Sequence, residues 1–206
     1  MTQFLRSALV PAIACVLIGC TSPPPAHSPG PSPSAPPSPA STPSLNPVPK
    51  PSPNPEQKSA ASAVMHFTDV SREIGADPSR FSRAQMTKNF RYYVGGDMVT
   101  ANVDSFMELK RKGYRWAGGM KIGAIVASEV TNHRNALGLE VRVTVCQDQT
   151  QMSLVDESGA AVTARTVPAY NVRLYIVRKP AKESTWRVYG MRTLSASAAK
   201  PSECAS

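Results

Sequence analysis

Beyond residue 58 the apolar residues follow two different periods. Ala60, Ala63, Val64, Phe67, Val70 and Ile74 recur at three and four, which predicts an amphipathic helix. Gly75 is placed to end it in a left-handed turn. Asp77-Pro78 reads as a cap followed by a proline at the first helical position, opening a short second helix. Phe81, Ala84 and Phe90 are its expected inward residues, and Tyr92-Tyr93-Val94-Gly95-Gly96 breaks the pattern. A third helix is predicted over about 102–112, with Val103, Phe106, Leu109 and Met107 as its apolar stripe. Asp104 falls in its first turn and Lys110, Arg111 and Lys112 in its last, an order that suits the helix dipole, and Gly113 follows as the stop.

After Trp116 the period drops to two. A strand is predicted over 122–130. Leu139, Val141, Val143 and Val145 then alternate with Glu140, Arg142 and Thr144, the mark of a half-buried strand. Asp156 to Gly159 reads as a hairpin turn between Ser153-Leu154-Val155 and Ala160-Ala161-Val162. Two more strands, over about 172–177 and 186–193, flank a polar loop at 180–184. Parity places Cys146 on the face of Arg142 and Thr144, away from the valines. Arg173, Tyr175, Arg187 and Tyr189 stand opposite the most apolar residues of their strands, which predicts a basic outer face shared with Arg142. The expected fold class is α+β: three N-terminal helices packed on a curved antiparallel sheet of four to six strands.

Residues 1–58 obey neither period. Arg6 precedes an apolar run from Ala8 to Ile18, about eleven residues against the roughly 20 needed to span a hydrocarbon core. Leu17-Ile18-Gly19-Cys20 resembles the lipobox of bacterial lipoproteins, with a small residue at the cut site and a thiol directly after it. The resemblance implies export, removal of residues 1–19, and diacylglycerol on Cys20. It also implies a chain held by acyl groups such as palmitate on the outer, extracytoplasmic face of the cell membrane. A plain export signal followed by a chance cysteine is the alternative. Each buried lipid CH₂ contributes about 0.8 kcal/mol, so two or three chains hold a protein on a membrane almost permanently.

Residues 20–58 are a Pro/Ser-rich linker. Fifteen of the twenty prolines lie between Pro23 and Pro55, each removing a backbone donor. No apolar face offsets the entropy of ordering, so extended polyproline II is expected, reaching at most roughly 120 Å. Residues 59–206 then form the single α+β domain.

The net charge is +9, with Arg6 the only charge in the leader. A basic exported chain is drawn to anionic headgroups and wall polymers, and without a nucleic-acid motif no nucleic-acid partner is expected. With Cys15 in the leader and Cys20 lipidated, Cys146 and Cys204 remain as an even pair in an oxidising compartment, which predicts a disulfide. Two lone cysteines without CxxC spacing make a poor metal site, and no metal or cofactor is expected.

Catalytic motifs are lacking: no Gly-rich phosphate loop, HExxH or GxSxG occurs. His27 lies in the linker and His133 in the polar 131–135 turn. His66 and Asp69 are three apart on the first helix, and with Tyr92 and Tyr93 they are the candidate pocket residues. Arg142, Arg173, Arg187, Lys110, Arg111 and Lys112 are the candidate basic interaction surface. The element order, the Val-Thr-Val-Cys146 strand, the Asp156-Glu-Ser-Gly159 turn and Trp186-Arg-Val near a C-terminal cysteine together resemble the nuclear transport factor 2-like superfamily. More narrowly, they are similar to the cone-shaped domains of actinobacterial wall lipoproteins. This resemblance implies a cystatin-like cone over roughly 59–204 that pairs weakly sheet to sheet as a homodimer. The anchor, the spacer, the disulfide and the absent catalytic motifs point to non-enzymatic binding of an envelope protein partner or an apolar ligand. Two alternatives stay open: an isomerase or cyclase using the cone as its active site, and an envelope assembly or exclusion factor.

Overall fold

A computed structural model describes residues 52–162 and 167–204, all within the compact unit Pro49–Ser206. The leader, Cys20, His27 and the linker up to residue 51 lie outside the described residues.

The first helix, α1 (Pro55–Ala76), begins five residues before the apolar stripe. Its start is set by a reciprocal cap. Asn54 Oδ1 accepts from the Gln57 N–H at 2.9 Å, and Gln57 Oε1 accepts from the Asn54 N–H at 2.7 Å. Pro55 at the first position sacrifices no helical hydrogen bond. Ala60, Ala63, Val64, Phe67 and Ile74 face the core, as the spacing predicted. Gly75 does not end the helix. It is buried within the last turn because a Cβ there would stand 2.5 Å from Trp116 Cδ1.

A single 3-10 turn at Pro78–Arg80 separates α1 from α2 (Arg83–Arg91), which Ser82 and Gln85 cap in the same reciprocal way. Met86 and Phe90 are its buried residues; Ala84, expected inward, is exposed. The third helix, α3 (Met98–Arg111), starts four residues before its predicted boundary. Asp104 therefore misses the first turn and instead pairs with Arg83 of α2 at 2.7 Å. Gly113, at φ 66°, ends this helix.

Seven strands follow: β1 (Arg115–Ala117), β2 (Lys121–Ala127), β3 (Thr131–Asn132), β4 (Leu139–Asp148), β5 (Ser153–Val155), β6 (Tyr170–Lys179) and β7 (Arg187–Ser197). A five-stranded antiparallel sheet runs in the order β2-β4-β6-β7, with β3 also on β4, while β1 and β5 form a two-stranded ribbon. The strand predicted over 122–130 ends at Ala127, and β3 starts beyond it at Thr131.

Cross-strand partners share a face, so the register identifies the two sides of the sheet. Val141, Val143, Val145 and Gln147 of β4 stand opposite Val177, Tyr175, Arg173 and Asn171 of β6. This is the side that packs on Phe67 of α1, whose ring meets Tyr175 edge-on at 6.1 Å. Arg173 and Tyr175 are therefore inward, not on the outer face that parity within one strand suggested. Val172, Leu174 and Ile176 join Cys146, Thr144 and Arg142 on the other side. There Cys146 is bonded to Cys204, Cα–Cα 5.4 Å, and the turn Ser202–Cys204 packs against β2 and β4.

Candidate functional site

Between α1 and the inward sheet face lies an open cavity of about 280 Å³. That is close to the lower end of the roughly 300–1,000 Å³ usual for small-molecule sites. One wall is apolar: Phe67 from α1, Phe106 from α3, Trp116 from β1 and Met120 before β2. The floor is polar and comes from β4 and β6. Gln147 continues the inward phase of Val141, Val143 and Val145, and Asn171, Arg173 and Tyr175 stand beside it.

Those floor groups are mostly removed from water. Gln147 is 2% exposed, Asn171 4% and Tyr175 1%. Gln147 Nε2 donates to Tyr175 Oη at 3.1 Å, and Asn171 Nδ2 donates to Gln149 Oε1 at 2.6 Å. Among the described residues three atoms around the cavity lack a well-formed hydrogen bond: Gln147 Oε1, Thr68 Oγ1 and Arg173 Nε. An unsatisfied buried polar group costs about 1–3 kcal/mol, so three around one cavity are unusual unless something answers them. Burial raises the Tyr175 phenol above its ordinary range, against the lowering effect of the Arg173 charge and of the Arg173, Thr68 and Gln147 side chains. The hydroxyl is therefore a hydrogen-bonding group and not a base at neutral pH.

Among the described residues no carboxylate or histidine lines the cavity. The arrangement can hold a small molecule by aromatic contact and hydrogen bonds, and it offers no acid–base pair for proton transfer.

The predicted pocket residues lie elsewhere. His66 is exposed and stacks on Tyr93, ring centroids 5.3 Å apart. Asp69 pairs with Arg72 at 3.0 Å instead of with His66. Tyr92 is 59% exposed. The geometric reason is the helical turn of about 100° per residue: Phe67 and Thr68 face the sheet, which turns His66 and Asp69 off it.

Nor do the predicted basic residues form one surface. Lys110 Nζ donates to the carbonyls of Ser79 and Phe81 at 3.1 and 2.9 Å. Arg111 and Lys112 share Glu108, holding its carboxyl down at about 2 through their hydrogen bonds. Arg187 pairs with Glu183, and Arg173 is in the cavity. Arg142 stands 3.5 Å from Glu140, which also receives Arg178 at 3.0 Å and lies 3.4 Å from His133. His133 is thus half-buried beside a carboxylate, where the sequence suggested a solvated loop residue.

Sequence reasoning overlooked Thr68, Gln147 and Asn171. Gln147 did carry a signal, a polar residue in the apolar phase of its strand. The described residues hold no cluster of His, Cys, Asp and Glu suited to a metal ion, and no helix among them is long and apolar enough to cross a membrane.

Comparison with protein-family models finds no match, and neither does comparison with curated proteins. Among solved structures, the chain is similar to the intermembrane space region of the chloroplast protein ARC6, at 16% identity and a TM-score of 0.46, over 70% of this chain and 100% of that one. It is also similar to a de novo designed β-sheet protein, at 14% identity and a TM-score of 0.31, over 71% of this chain and 93% of that one.

Proposed function

We propose that this protein is a non-enzymatic binding module, anchored by lipid on Cys20 to the outer face of a cell membrane and carried clear of it by the proline-rich linker. In this reading the α+β unit is a cone of the nuclear transport factor 2-like kind, and its binding site is the cavity between helix and sheet. The observation that carries the reading is the cavity itself: about 280 Å³, open, with buried polar atoms that lack a well-formed hydrogen bond among the described residues. An isomerase or cyclase of this architecture needs a carboxylate or histidine aimed inward, and among the described residues none lines the cavity.

Native mass spectrometry on the full chain, released from the membranes of an expressing bacterium, tests both parts. The wild-type chain is expected to carry diacylglycerol and a bound molecule of a few hundred daltons. Cys20→Ser is expected to lose the lipid and leave the membrane fraction. Ser71→Trp, which fills the cavity from α1, is expected to lose the bound molecule only. A wild-type chain with an unmodified Cys20 would overturn the anchor. Ligand-free spectra for wild type and Ser71→Trp alike would overturn the binding role.

A further inference from the structure

The unanswered atoms of the cavity define what its occupant must bring. Arg173 forms no salt bridge among the described residues; its Nη1 lies 3.5 Å from the Met191 sulfur, and its side chain also acts on the Tyr175 hydroxyl. Its Nε is buried, has no partner, and requires an acceptor. Arg173 is half-buried, and among the described residues no acid on the cavity wall pairs with it. A carboxylate is the planar acceptor that fits a guanidinium edge.

Gln147 poses the opposite requirement. Its Nε2 is used by Tyr175, and Oε1 is left as an acceptor in search of a donor. Gln147 on β4 and Arg173 on β6 are diagonal neighbours on one sheet face, because Val145 is the residue directly opposite Arg173. Diagonal positions are about 7–8 Å apart at the backbone, so two long side chains reach adjoining atoms of one small head group. Thr68 Oγ1 faces the same cavity from α1 beside the Tyr175 hydroxyl and can give or accept. Phe67, Phe106, Trp116 and Met120 supply an aromatic and thioether part of the wall, while Ser71, Arg72 and Asn102 on the helices add polar groups, with Arg72 already paired with Asp69.

We infer that the cavity binds an apolar carboxylic acid carrying a hydroxyl or N–H donor beside its carboxylate, with the carboxylate on Arg173, the donor on Gln147 and the apolar body against Phe106 and Trp116. A 2-hydroxy acid or an N-acyl amino acid with a bulky apolar group has this chemistry. The inference rests on the binding role proposed above and adds the head group.

Calorimetry on the full chain in zwitterionic lipid nanodiscs, with empty nanodiscs as the blank, tests it with three probes of equal bulk. These are 3-phenyllactate, 3-phenylpropanoate without the donor, and 3-phenylpropane-1,2-diol without the charge. 3-Phenyllactate is expected to bind at least about tenfold tighter than either of the others. Arg173→Gln is expected to bring 3-phenyllactate down to the diol, and Gln147→Met to bring it down to 3-phenylpropanoate. The comparison among probes on the wild-type chain does not depend on either variant folding. If the diol binds as well as 3-phenyllactate, the anionic head group is wrong while the binding role stands. If none of the three binds, the inference falls; a bound molecule seen by mass spectrometry would then keep the binding role alone.

Discussion

Gln147 shows how one residue can matter through its phase. It sits where a fourth inward valine would extend Val141, Val143 and Val145, and it is just as buried as they are. Replacing those valines would create voids, whereas replacing Gln147 alters the floor of a cavity. Gly75 works by size alone. Ala there would gain about 1 kcal/mol of helix propensity but drive its Cβ into Trp116. A net loss of about 1–3 kcal/mol is expected for Gly75→Ala, measured by urea unfolding, together with a shift in tryptophan emission because Trp116 lines the cavity.

Glu140 is a buried carboxylate set among Arg178, Arg142 and His133. Burial by itself would raise its carboxyl, but the Arg178 hydrogen bond and charge, with His133 and Arg142, bring it below the ordinary 4.5. A carboxyl depressed in the folded state stabilises above its unfolded value and loses that contribution as pH falls through the folded one. Glu140→Gln is therefore expected to cost about 1–3 kcal/mol at pH 7 and progressively less below 4.5, read from urea midpoints across that range.

At the scale of elements, the start of α1 is tied to the far end of the sheet. Glu56 Oε1 accepts from Lys179 Nζ of β6 at 2.6 Å, and Oε2 accepts from the buried Trp186 indole just before β7 at 2.9 Å. Gln57 Nε2 donates to the Ser128 carbonyl after β2 at 2.9 Å. These bonds lower the Glu56 carboxyl, the Lys179 hydrogen bond first and the Trp186 one second. Glu56→Ala should cost about 1 kcal/mol and speed amide exchange in the first turn of α1, leaving the last turn, packed on Trp116, unchanged. The helix itself was legible from its 3.6-residue stripe. Its true start was not, because Asn54-Pro-Glu-Gln57 is a capping sequence hidden at the end of a proline tract.

Across the whole molecule, the Cys146–Cys204 bond closes 58 residues over the outer sheet face, where its sulfurs and Val172 form a small buried cluster. Removing it through the double change Cys146→Ser and Cys204→Ser should cost about 4 kcal/mol in the chain-entropy description, measured as the difference in unfolding free energy. The cavity lies on the opposite face, so its ligand affinity should change little in that variant.

The sequence by itself determined the three helices, the long strands β2, β4, β6 and β7, the strand phase of β4, and the side of the sheet on which Cys146 lies, but not the short strands β1 and β3. Each is a local property, written in the spacing of apolar residues along a single segment. Only the tertiary structure decided which face of β6 turns inward. Both faces of that strand carry large residues, and the choice between Tyr175 with Arg173 and Leu174 with Ile176 belongs to the register with β4, a pairing across some thirty positions of chain. That single decision moved Arg173 from the expected outer surface into the cavity. Hydrogen bonds between strands, and not the pattern within one, determine which face of such a strand a sheet buries.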